Sequence, residues 1–218
     1  MNVARQIVLA AVATAMTAAA LAAPPPSTQV LAVRDRWADV NYTVPKAQRE
    51  AQFDALAKQA ATARKAAPSD PNALIWEGIV LSSLAGERGG LGALGLAKQA
   101  RADFEAAIRI DPNALDGSAY TSLGVLYYSV PGWPVGFGDD DKARDLLLKG
   151  LKVNPDGIDA NYFYGDFLRD QGDYAAAARA LEKALAAPAR PGREVADRGR
   201  RAEATALLRQ VKSKLAAR

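Results

Sequence analysis

The sequence predicts an all-α solenoid of about three to four helix pairs, closed by a C-terminal capping helix. Three observations predict it. First, Ala100–Pro112, Ala143–Pro155 and Ala177–Pro188 repeat one pattern. Each has a small, a large apolar and a second small residue at spacings of four and three: Ala100/Phe104/Ala107, Ala143/Leu147/Gly150 and Ala177/Leu181/Ala184. Second, each segment ends in a proline, which cannot continue a helix. Third, the prolines recur along the chain, as expected of stacked units that bury one continuous core.

The elements follow in order. Residues 1–22 read as a secretory signal: Arg5 gives a positive start, 7–21 is apolar, and Ala20-Leu21-Ala22 fits a small-x-small cleavage site. Pro24-Pro25-Pro26 interrupts the apolar run, which leaves it short for a membrane anchor. Residues 23–29 read as a Pro-rich extended linker. The repeat domain is expected over 30–188 and the capping helix over 189–218. Within 30–188, residues 30–40 and 46–67 form a degenerate first pair, with Phe53, Leu56, Ala60 and Ala63 on the inner face of its second helix.

Helices over 72–84 and 96–110 make the second pair, 115–130 and 140–153 the third, 159–170 and 174–187 the fourth. Two stretches break the pattern between paired helices: 85–95, with five glycines, and 129–139, with two prolines and three glycines. Both insertions are expected at the same edge of the stack. After a hinge at 189–193, helix 194–217 carries Ala202, Ala206, Leu207, Val211 and Leu215 as its apolar face.

Composition excludes several functions. The chain has no Cys and no His. Disulfides, acylation at a cleavage-site cysteine, His-based triads and the commonest zinc sites are therefore all ruled out. Charge is uneven: 28 Lys+Arg stand against 24 Asp+Glu overall, but 189–218 hold nine basic and three acidic residues. That basic tail is read as the solvated face of a capping helix, with no nucleic-acid role.

The repeat resembles the tetratricopeptide repeat. Tyr120, Leu123, Gly124 and Tyr127 stand at its first-helix positions, and Ala143, Leu147, Gly150 and Pro155 at its second-helix positions. Asn161, Tyr164, Gly165 and Leu168, followed by Ala177, Leu181 and Ala184, repeat them. Gly78, Ala100, Phe104, Ala107 and Pro112 keep part of the pattern. The stretch Gly138-Asp139-Asp140-Asp141-Lys142-Ala143 is also similar to an element of the exported T-component subunits of TRAP-type solute transporters, which would imply an accessory role in solute uptake.

The resemblance implies a concave groove made by first helices. It places Ser118, Thr121, Val125, Tyr128, Asp159, Tyr162, Asp166, Arg169 and Asp170 there, beside Asn72, Ile75, Ile79 and Ser82. This groove would run from apolar to hydroxyl-rich to acidic and suit an extended peptide with a basic end. It lacks the Lys, Arg and Asn set with which some such repeats grip a C-terminal carboxylate. Trp133 and Phe137 are either partner contacts or a lid folded over the core.

Asp139-Asp140-Asp141 reads as a helix cap rather than a calcium ligand set. Gly89-Gly90-Leu91-Gly92 lacks the strand and the Gly-Lys-Ser/Thr of a phosphate loop. No cofactor or metal is expected. The expected function is a non-catalytic, periplasmic or secreted module that binds a protein or peptide, does not span a membrane once the signal is removed, and takes a small solute as the alternative ligand. An Asp166/Asp170 acid–base pair, and with it a carboxylate hydrolase, is the remote alternative.

Overall fold

A computed structural model describes residues 25–217. The expected signal segment lies outside them. Nine helices form among the described residues: α1 (Thr28–Tyr42), α2 (Lys46–Ala66), α3 (Pro71–Arg88), α4 (Gly90–Ile110), α5 (Ala114–Ser129), α6 (Asp140–Val153), α7 (Ile158–Asp170), α8 (Tyr174–Ala186) and α9 (Glu194–Ala216). Each odd helix pairs with the next, giving four hairpins and a terminal helix. None of these helices is long and apolar enough to cross a membrane.

Helix starts follow from capping chemistry. Asp139 accepts from the Lys142 amide at 3.0 Å and Asp173 from the Ala176 amide at 3.0 Å. Asp140 and Asp141 then sit in the first turn of α6, where the helix dipole favours negative charge. Ser27 caps α1 through the Val30 amide, so Thr28 and Gln29, expected in the linker, instead begin the helix.

One contact holds every complete pair together. A glycine on the first helix faces a large side chain on the second: Gly78 faces Phe104, Gly124 faces Leu147 and Gly165 faces Leu181. A Cβ on these glycines would lie 2.6, 2.8 and 2.8 Å from the facing carbon. All three partners are fully or almost fully buried, so none can swing away. The small/large pattern of the sequence is therefore the interlock of the hairpins.

Two expectations are corrected. The first insertion is not a loop. Gly89 and Gly90, at φ 64° and 58°, make one sharp break, and the extra residues lengthen α3 and α4 instead. Arg88 fixes that extension by bonding Glu50 at 3.0 Å and Asp54 at 3.2 Å on α2. The buried face of α9 is also rotated from the expected one. It comprises Ala196, Asp197, Arg200, Ala204, Leu207 and Val211, whereas Ala202 and Ala206 are exposed. Counting only apolar residues misplaces this face because two of its members are charged and are buried as ion pairs.

Candidate functional site

Helix α9 does more than cap the stack. Its C-terminal half packs on α8, with Leu207 and Val211 entering the main core. Its N-terminal half returns to α1. Tyr42 lies against Gly199, and its hydroxyl donates to Glu203 at 3.3 Å. Ala196 and Val195 join the core formed by α1, α2 and α3. First and last helices thus touch, and the concave side becomes a bounded chamber of about 620 Å³.

The chamber collects part of the expected groove. Ser118, Thr121 and Val125 of α5 and Asp159 and Tyr162 of α7 line it, as do Ile79 and Ser82 of α3. Asn72 and Ile75 are instead buried. Tyr128, Asp166, Arg169 and Asp170 stand elsewhere. Asp166 accepts from the Tyr128 hydroxyl at 2.9 Å and from Arg169, while Asp170 is exposed. Burial first, then the Asp166 carboxylate, raises the Tyr128 hydroxyl well above its ordinary range, so it remains a donor. Asp166 is already committed and neither carboxylate lines the chamber, so the acid–base pair is not assembled.

The predicted acidic character is also reversed. Four arginines line the chamber: Arg34 from α1, Arg190 and Arg193 from the hinge, and Arg200 from α9. Asp159 receives Arg190 Nη1 at 2.7 Å and Arg200 Nε at 2.8 Å. Burial alone would raise the Asp159 carboxyl, but Arg200 and Arg190 outweigh it and hold it down to about 2. Arg190 also bonds Asp197, at 2.8 Å, and Arg200 bonds Glu203 at 2.7 Å. Arg200 lies 4.4 Å from the ring centroids of both Tyr162 and Phe163.

This network ties the hinge and α9 to α7 across 31 and 41 residues. Sequence reasoning missed it because the tail's positive charge reads as solvated. The available signal is local: Arg193, Asp197 and Arg200 share one helical face with Ala196 and Ala204.

The second insertion remains a loop, and its two aromatics part ways. Phe137 folds inward. Its ring meets Tyr127 edge-on at 5.6 Å, and Arg101 stacks over it at 4.5 Å. Amides of Gly138 and Asp139 donate to Pro131 and Tyr127 carbonyls, which pins the loop base. Trp133 projects outward, 90% exposed, beside Val135 at 62%.

Residues 158–189 match the tetratricopeptide repeat family, and they are the α7–α8 hairpin with the turn after it. The chain carries a tetratricopeptide repeat there, within an all-α solenoid of the tetratricopeptide-repeat kind. A thermophilic tetratricopeptide-repeat protein of Thermus thermophilus (TTC0263) shares the fold at a TM-score of 0.52. It is 24% identical over 77% of this chain and 81% of that one. Two MamA crystal structures align with TM-scores of 0.44. One is 19% identical over 81% of this chain and 97% of that one; the other is 18% identical over 86% and 93%. No curated protein matches in sequence. Tetratricopeptide repeats are protein–protein interaction scaffolds and are generally non-catalytic.

Proposed function

We propose that this chain is an exported, non-catalytic interaction module, and that its protein partner docks on the loop at 130–139. The observation that carries this reading is Trp133. A tryptophan 90% exposed on a pinned Pro/Gly loop leaves a large apolar surface in water, with no structural return to the monomer. Such residues are enriched among interface anchors. Phe137 supports the loop from below, so Trp133 is presented on a fixed base rather than a fluctuating one. The apolar, uncharged stretch within residues 1–22 supports export to the periplasm or the medium. The return of α9 to α1 argues against an extended peptide lying along the concave side, so the partner surface belongs on the rim.

The test is tag capture of the protein from periplasmic extract, comparing wild type with Trp133→Ala. A specific protein retained by wild type and lost by Trp133→Ala, with thermal stability unchanged, supports docking on the loop. A partner lost with Tyr162→Ala but kept with Trp133→Ala would move recognition into the chamber. Sequencing of the mature N-terminus tests export: the proposal expects it near Ala23.

A further inference from the structure

Of the four chamber arginines, three have a carboxylate partner. Arg34 bonds Asp35 at 2.7 Å, Arg190 is shared between Asp159 and Asp197, and Arg200 between Asp159 and Glu203. Arg193 has none among the described residues. Its guanidinium lies 5.5 Å above the Trp76 ring, and its Nε–H is buried with no acceptor. Trp76 is 4% exposed and also lines the chamber, and its indole N–H is a second buried donor with no acceptor. Native proteins rarely leave buried donors on two neighbouring side chains unsatisfied. The remaining acid of the lining, Asp116, is exposed. Burial, then the neighbouring Arg190 cation, lowers the Arg193 affinity for its proton; Arg34 adds to this and Asp159 and Asp197 only partly offset it, so an arriving anion would relieve the remaining charge.

The rest of the wall defines the ligand's body. Trp37, Ile79, Val125, Tyr162 and Phe163 supply apolar and aromatic surface, and Ser82 and Ser118 add hydroxyls. A volume of about 620 Å³ falls in the range of small-molecule sites. Because α9 closes the side along which a peptide would run, a compact ligand fits where an extended chain does not.

We propose that the chamber binds a small organic acid, its carboxylate held by Arg193 and the Trp76 indole N–H and its apolar body packed among the aromatic side chains. A planar guanidinium matches a carboxylate with two parallel hydrogen bonds, which no neutral group reproduces.

Calorimetric titration of the full chain with octanoate and 3-phenylpropionate, each paired with its primary amide, tests this. At least one acid should bind, its amide at least tenfold more weakly. Arg193→Gln should weaken the acid by at least tenfold and leave the amide unchanged. Trp76→Phe keeps the ring and removes the N–H, and should weaken the acid several-fold. The acid-to-amide comparison uses the unaltered protein, so it stands even if a variant misfolds. Equal binding of acid and amide, binding of neither acid, or binding only of a peptide with a free C-terminal carboxylate would each overturn the proposal.

Discussion

Asp159→Asn removes the charge that holds the hinge and α9 against α7, and leaves the side chain's shape. Two guanidiniums then share one fewer carboxylate, and Arg200, only 8% exposed, keeps a desolvated charge. Linkage sets the size. Asp159 sits at about 2 in the folded chain, against roughly 3.9 unfolded, which corresponds to about 2.6 kcal/mol at neutral pH. About a third of the Asp159 side chain meets solvent, so screening reduces this to about 1.5 kcal/mol.

The folded value is depressed, so this stability is present above pH 4 and is lost as pH falls toward 2. By pH 3, about half should be gone. Urea unfolding of wild type and variant at pH 7, 4 and 3, followed by circular dichroism, measures the difference. Hydrogen exchange should also show faster opening of residues 194–203 in the variant at pH 7. A stability difference that is absent at pH 7, or that does not shrink between pH 4 and pH 3, would refute the role given to the Asp159 network.

Two further outcomes are expected. Asp103 is buried, and burial, then the nearby Glu77 carboxylate, pushes it up to about 7. Its folded value is raised, so the stability it contributes is full below pH 4 and is lost as pH rises through 7. Asp103→Asn should therefore be more stable than wild type at pH 8, by on the order of 2 kcal/mol, and gain nothing near pH 4, as read by melting curves at the two pH values. Gly124→Ala puts a methyl 2.8 Å from Leu147 Cγ and 3.2 Å from the Ala143 carbonyl. Overpacking of about 1–3 kcal/mol should outweigh the roughly 1 kcal/mol gained in helix propensity. The double variant with Leu147→Ala should lose less than the sum of the two, as read by urea unfolding.

Most of the fold was legible in the sequence because its determinants are local. The glycine facing Phe104, Leu147 or Leu181 sits in a repeating pattern, and capping by Asp139 and Asp173 needs only a few residues of context. The chamber was legible in part. First-helix positions placed Ser118, Thr121, Val125, Asp159 and Tyr162 on the concave side, where they stand. The return of α9 was not legible, since it depends on Arg190 and Arg200 reaching Asp159 from distant positions, and no local periodicity encodes such a pair. The same distance hid the sign of the site. Asp159 reads as free negative charge in sequence but is neutralised by two arginines, while Arg193 reads as surface and faces the chamber. The stretch 85–95 misled for a different reason. Glycines spaced among Leu and Ala weaken a helix without ending it, and only the adjacent Gly89 and Gly90 take a left-handed φ there.

The contact between α1 and α9 is what makes the concave side a chamber, and spin labels test it directly. The chain has no Cys, so cysteines introduced at the exposed positions Ala32 and Arg198 can be labelled without background. Pulsed dipolar spectroscopy should give a single narrow distance distribution, short enough for two helices in contact, and Gly199→Leu, which drives a side chain into the Tyr42 ring, should broaden it. A broad or long distribution in the unaltered background would mean that α9 leaves α1 in solution and the groove is open.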